Sequence, residues 1–451
     1  MTTPSLRLSL VLLLTTVLLH GTASAGNPLV PGKGLTDAHG VVYDGRVYLY
    51  ATHDFSPANK GFKMTDWWVW SSANLVDWTQ EGTLKPEDTY LHKPFNDCWA
   101  TFGVRKNGKY YWYFSAGRNS IGVVVADTPR GPWKDPLGKA LVAPGLTQTQ
   151  QRDPDILMDD DGKSYLVYGT FDYFIVRLGD DMISLAETPR PVVLDRRVGP
   201  YGEGKTDDKP SLHKRNGVYY LSWSSFYAVS SSPYGPFTYK GSVIDPALVA
   251  PDFRRQKLFH DRHGNFFEFN HQWYYACNDK SLPDRTDFFR DCDLSYVHFR
   301  DNGDMAPVRI DAVGVGEYDA AQPRIEAEDY FNAVNAEQRE TPAGGFEVRN
   351  LKDGSALFYP RVKNLAANPT MSLQAACGTP EGATVEIHEN DPSGKLLGSA
   401  KVPSTGGWDQ YHQVPVPLHL DGGTHNLCLV VRGGTGEQLR LDWFNFTTET
   451  K

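Results

Sequence analysis

The chain has 451 residues, including 11 Trp, 23 Tyr, 22 Phe, 42 Gly and 30 Pro, and a formal charge of −9. So aromatic a sequence can bury enough surface to offset its chain entropy, which argues against disorder; no Gly triplet runs through it, which excludes a collagen-like rod. A pI near 5.8 without any Lys/Arg run removes the basic patch that a nucleic-acid binder needs.

Residues 1–25 read as a signal peptide. Arg7 supplies a positive start, Leu10–Leu19 an apolar stretch, and Ala23-Ser24-Ala25 a small-residue cleavage site. Ten such residues fall short of the roughly 20 that cross a bilayer, so the reading is a secreted protein with no membrane association. In an oxidising compartment the five cysteines could form disulfides. Cys277 with Cys292 and Cys377 with Cys428 are the natural pairs within single domains, leaving Cys98 over. None of their spacings is that of a zinc site.

A short phrase then recurs. Asp44-Gly45, Asn107-Gly108, Asp161-Gly162 and Asn216-Gly217 are each followed by a Tyr- or Trp-rich run, and Asn270-His271 is a degenerate fifth copy. The second residues of these turns are spaced by 63, 54, 55 and 54 residues. Turn dipeptides flanked by aromatic and β-branched runs signal hairpins. Three to four strands per unit, five times over, predict an all-β fold beginning with a five-bladed β-propeller at residues 26–315. Residues 314–323 read as a linker. The alternating strands of residues 324–449 have the size of one β-sandwich (jelly-roll) module.

Counting back eight or nine residues from each turn reaches Asp37, Trp99, Asp153, Asp208 and His263. All five precede their hairpins in one register, and first strands line a propeller's channel, so the side chains should converge on one mouth. Alone, each suits a structural role: a turn Asp, a core Trp, a satisfied His. Together they form a polar pocket beside an aromatic platform. Paired carboxylates in a sugar-sized cleft suit glycosidic hydrolysis, one protonating the leaving oxygen and one activating water. A third would raise the acid's pKa by like-charge repulsion.

These motifs resemble glycoside hydrolase family 43 over about residues 30–315. Leu35-Thr36-Asp37-Ala38-His39 is similar to the blade-one motif, which implies that Asp37 is the general base and that His39 contacts substrate. Arg152-Asp153-Pro154-Asp155 resembles the third-blade motif, whose first Asp tunes and orients the acid. Asp261-Arg262-His263-Gly264 resembles the fifth-blade motif, which implies that His263 sits in the channel and binds water or a metal ion. The fourth blade departs from the family's Glu-Gly-Pro: here it is Asp208-Lys209-Pro210. The resemblance therefore implies Asp208 as the acid, one methylene short. Glu203 is the alternative, and loss of catalysis with retained glycan binding a third possibility. Asp207 should point away, and Arg290 could enter the channel from blade five and pair with a carboxylate.

Residues 324–449 resemble carbohydrate-binding module family 6 through Ile325-Glu326-Ala327-Glu328, Gly406-Gly407-Trp408 and Leu441-Asp442-Trp443. That resemblance implies a structural Ca²⁺ held by Glu326, Glu328 and Asp442, with Trp408 as a sugar platform. Asn350 and Arg440 stand where the family has a stacking Tyr and an Asn. The combined expectation is a secreted, monomeric, inverting glycosidase that needs no cofactor for catalysis. It would act on plant-type polysaccharides or oligosaccharides as an α-L-arabinofuranosidase first and a β-xylosidase second, with a secreted glycan-binding protein as the alternative.

Overall fold

The computed structural model describes residues 26–254, 258–282 and 285–447, so the leader expected at residues 1–25 lies outside the described residues. Five antiparallel sheets follow one another as the blades of a β-propeller. Their inner strands are Leu35–Tyr43, Cys98–Lys106, Asp155–Met158, Pro210–Arg215 and Gly264–Phe269. Each inner strand pairs with the aromatic strand that the recurring phrase begins, for example Lys109–Ala116 in blade two and Val218–Trp223 in blade four.

The turn residues explain why. Asp44 and Gly45, Asn107 and Gly108, Asn216 and Gly217, and Asn270 and His271 all have positive φ. That is the type I′ geometry whose twist matches two-residue hairpins. His271 adopts it at φ 63 without being glycine, so the degenerate copy is a true fifth hairpin.

Neighbouring blades interlock at points that admit no side chain. A Cβ on Gly103 of blade two would lie 2.2 Å from the Tyr50 ring of blade one. Blade five is stitched to blade one through Asn265, whose amide exchanges hydrogen bonds of 2.8 and 3.0 Å with the backbone of Gly40. The start of the described chain secures the same junction. The Leu29 amide donates to the Cys292 carbonyl at 2.9 Å, and Asn27 exchanges two hydrogen bonds with the Leu294 backbone.

The second unit is a sandwich of two six-stranded sheets around an aliphatic core that includes Val348, Leu357, Leu373, Ile387 and Leu429. Tyr318–Asp319, expected in the linker, is instead an edge strand pairing in parallel with Ala356–Leu365. Blade five and the sandwich are pinned together by Gln272 Nε2 donating to the Glu328 carbonyl at 2.9 Å and by a 2.9 Å contact between His298 and Asp329.

The cysteine pairings fail. All five cysteines are buried free thiols. Cys277 is the register partner of Asp293, and Cys292 that of Asn278, so the two side chains point to opposite faces of one sheet and enter different cores. Cys377 lies in the main sandwich core, whereas Cys428 faces the other side of its sheet with Ala356 and Val430.

Candidate active site

Local irregularities aim the site. Blade one slips register between Thr36 and His39, and blade two between Trp99 and Thr101. Bulges of this kind re-aim a side chain away from the pleat. Asp37 (φ 48), Asp153 (φ 59) and Lys209 (φ 53) all sit in the left-handed region, a strained conformation for these residues. The Asp37 amide donates to Asn278 Oδ1 at 2.7 Å, and the Asp153 amide to Ser115 Oγ at 2.8 Å. Each carboxylate is therefore anchored by the neighbouring blade.

The side chains meet in a narrow cavity of about 230 Å³ lined by Asp37, Trp99, Arg152, Asp153, Asp208 and His263, among others. It opens past Phe62, Asp208, Asp261 and His263 into a wider cleft of about 780 Å³. At roughly 30 Å³ per water molecule the inner cavity holds the volume of a single sugar ring. Arg152 lies over the Trp99 ring at 4.9 Å, so one face of this platform carries a cation.

His263 is the hub. Its Nδ1 lies 3.2 Å from Asp37 Oδ1 and its Nε2 2.5 Å from Asp208 Oδ1. Burial opposes a charged imidazole, but Asp208, Asp207 and Asp37 outweigh it and raise the His263 pKa well above its ordinary value. Burial likewise works against the charge on Asp37, yet the Arg290 guanidinium and His263 hold its carboxyl well below the usual range. Arg290 reaches Asp37 Oδ2 at 3.2 Å while also gripping Asp54 at 3.0 Å and Asp261 at 2.8 Å.

Asp208 receives Arg152 at 2.8 Å as well as His263. Burial disfavours its charge, but these two cations hold it far down. Asp153 is pushed up, to about 6, by burial and by Asp208, with Arg152 opposing; burial raises Asp54 and Asp207 too. Like-charge repulsion thus acts as expected within the carboxylate cluster but falls on the third carboxyl. Contact with His263 and Arg152 reverses it at Asp208.

The structure separates the remaining sequence-derived candidates. Glu203 sits exposed on a small hairpin in a bidentate pair with Arg196, at 2.9 and 2.7 Å, and does not line the cavity. His39 is fully buried in the channel wall between the Thr101 carbonyl at 2.5 Å and Asp155 at 3.1 Å, so it braces blades and does not face the pocket. Arg290 enters from blade five and pairs with carboxylates as expected. Asp207, expected to point away, instead lines the wider cleft with Oδ2 3.8 Å from His263 Nε2, and accepts from Ser224 Oγ at 2.5 Å. Sequence reasoning missed Asp54, Asp261 and Asn278, which lack the shared register. Their one signal was proximity to residues already singled out.

Two groups bring potential metal ligands within 4.8 Å: Asp37, Asp261 and His263, and Asp207, Asp208 and His263. Both depend on His263, whose nitrogens already serve carboxylates, and Arg290, Arg152 and Lys280 supply counter-charge at once. The chemistry of this donor set is that of a closed ion-pair network.

Residues 25–304 match the sequence profile of Glycosyl hydrolases family 43, and residues 326–448 that of Carbohydrate binding module (family 6). The chain belongs to glycosyl hydrolase family 43. Similar relatives include the arabinoxylan arabinofuranohydrolase of Paenibacillus polymyxa, 30% identical over 94% of this chain and 74% of the relative. That of Bacillus subtilis is 28% identical over 93% and 92%. A solved arabinoxylan arabinofuranohydrolase from Bacillus subtilis, in complex with cellotetraose, shares the fold of both units, with TM-score 0.53 and 23% identity over 95% of this chain and 96% of that one. The family 43 chain is thus a glycosidase.

The module's two expected features differ in fit. Glu328 is buried with Oε2 lacking a hydrogen bond among the described residues, and burial together with Asp329 and Glu326 raises its pKa well above the carboxylate range. Such an orphan suits a hard cation. Glu326 and Asp442 are both bound by Arg324, at 2.7 and 3.2 Å, and do not gather with Glu328 into a cluster within 4.8 Å among the described residues. The sugar platform is less open: Trp408 packs against Gly378 and carries Arg440 at 5.2 Å, which is itself tied to Asp409 and Glu437.

Proposed function

We propose that this chain is a secreted, inverting glycosidase that removes single pentose units from plant-type polysaccharides, as an α-L-arabinofuranosidase first and a β-xylosidase second. The observation that carries this reading is the one-sugar cavity with Asp37 and Asp208 on opposite sides of His263. One imidazole and its two hydrogen bonds allow a carboxylate separation of up to about 8 Å, which reaches the inverting range of roughly 6.5–9.5 Å rather than stopping at the 5–5.5 Å of retaining enzymes. The size of the cavity favours a terminal or side-chain unit over the interior of a polymer. The names of the relatives support arabinoxylan side chains, and the apolar leader supports export.

In this reading Asp208 protonates the leaving oxygen as the glycosidic bond breaks. Water between the sugar and Asp37 attacks the anomeric carbon and gives its proton to Asp37. In the ligand-free state the proton sits on His263, 2.5 Å from Asp208. Transfer along that hydrogen bond supplies the protonated acid and leaves a neutral imidazole. Asp153, beside Arg152, repels a second charge on Asp208 and favours this shift. Ca²⁺, where bound by Glu326, Glu328 and Asp442, would brace the module and take no part in hydrolysis.

The test is a panel of nitrophenyl glycosides and arabinoxylan oligosaccharides, with the anomer of the first product read by NMR. Release of arabinose or xylose with inverted configuration is the expected result. A retained anomer would sink the two-carboxylate assignment, and turnover of hexosides alone would sink the pentose assignment.

A further inference from the structure

Lys209 follows the acid position, where the family resemblance leads one to expect glycine. Its backbone is left-handed at φ 53, a conformation that glycine adopts freely and lysine does not. Its side chain is 1% exposed, and its ammonium makes no hydrogen bond among the described residues. A strained backbone and a buried, unpartnered cation are two separate costs at one position, and neither is repaid by local contacts.

Lys209 lies between Asp208 and the inner strand of blade four, Pro210–Arg215. Asp37 and His39 of blade one, Asp153 of blade three, and Arg290 and Cys292 of blade five lie within electrostatic reach of the ammonium. The Lys209 amide also donates to Asp153 Oδ2 at 3.1 Å. Around it Asp37, Asp54, Asp153, Asp207, Asp208 and Asp261 outnumber Arg152, His263, Lys280 and Arg290. With the reading of the site above as its premise, we infer that Lys209 is a positioning residue. It places a fixed positive charge under the base Asp37 and the tuning carboxyl Asp153, so that both are held as carboxylates for catalysis. Burial lowers the lysine's own pKa while Asp37 and Asp153 support its charge, in keeping with this role.

The test compares Lys209→Met, Lys209→Gly and Lys209→Arg with the parent enzyme in kcat/KM against pH, on whichever of nitrophenyl arabinofuranoside and xyloside is cleaved faster. Removing the charge should raise the pKa of both Asp37 and Asp153, because a nearby cation favours the ionised form; Asp153, already near 6, sets the limb that moves. The acid limb in the Met and Gly variants should therefore move up by about 1–2 pH units. At a pH on that limb kcat should fall about tenfold or more with KM nearly unchanged, and Lys209→Arg should keep most of the activity. Lys209→Gly removes the left-handed strain, so it decides the matter if Lys209→Met does not fold. An unshifted acid limb in a folded Gly variant would overturn the inference, as would an equal loss in the Arg variant. An Asp37→Asn control that remained active would instead overturn the site assignment on which the inference rests.

Discussion

Asp208→Asn is the substitution that most directly probes the acid. In the structure the Asp208 carboxylate accepts from Arg152 at 2.8 Å and lies 2.5 Å from His263 Nε2. Asparagine keeps the shape and one acceptor for Arg152 but can neither take nor deliver the proton. Loss of the two charge-assisted contacts, about 1.5–3 kcal/mol each, is offset by relief of repulsion from Asp153 and Asp207, so stability should change little. Catalysis should not be spared. General-acid assistance contributes about 10²–10⁴-fold, or roughly 2.7–5.5 kcal/mol of barrier, when the leaving group is poor. The assay is kcat on an arabinoxylan oligosaccharide, whose sugar leaving group needs protonation, beside kcat on a nitrophenyl glycoside, whose leaving group hardly does. The loss should be large on the first and much smaller on the second. Glu203→Gln, exposed and paired only with Arg196, should stay within about twofold on both. The reasoning is refuted if Asp208→Asn keeps more than about a tenth of its oligosaccharide activity, or if Glu203→Gln loses more than it does.

Three further outcomes can be checked. Asp153 ionises near pH 6, so a break near that pH in the kcat/KM profile should be absent from Asp153→Asn. His213 is buried without a hydrogen bond to either ring nitrogen among the described residues and stacks on Tyr220 at 4.9 Å, with its pKa pushed down to about 3. A depressed folded-state pKa gives stability that is present above about 6.5 and lost as pH falls toward 3. At pH 5 this is about 2 kcal/mol, so His213→Phe should flatten the decline of Tm between pH 6.5 and 4. Added Ca²⁺ should raise the Tm of the intact chain, chelation should reverse the gain, and Glu328→Gln should abolish it, since the orphaned Glu328 Oε2 is the proposed ligand.

Much of the architecture was legible because a propeller repeats its local instructions. Each Asp-Gly or Asn-Gly pair fixes a turn, each turn fixes a hairpin, and near-equal spacing implies equal blades. The same register pointed to Asp37, Asp153, Asp208 and His263, since equivalent positions in equivalent blades must converge. It said nothing of residues outside the register. Asp54 and Arg290 lie 236 positions apart and meet only because the ring closes. His39 shares a motif with Asp37, and strand alternation alone would put both on one face; the bulge between them turns His39 into the wall. Tyr318–Asp319 looked like linker because a two-residue edge strand has no periodicity to read.

Composition and repeat thus determined the chain's class, its blades and the mouth where carboxylates gather, because those follow from turn chemistry and period. Which carboxyl pKa values rise and which fall was decided by the tertiary structure alone. Protonation depends on burial and on charges within a few ångströms, and it was the folded ring that set His263 between Asp37 and Asp208, brought Arg152 onto Asp208 and left a raised pKa to Asp153.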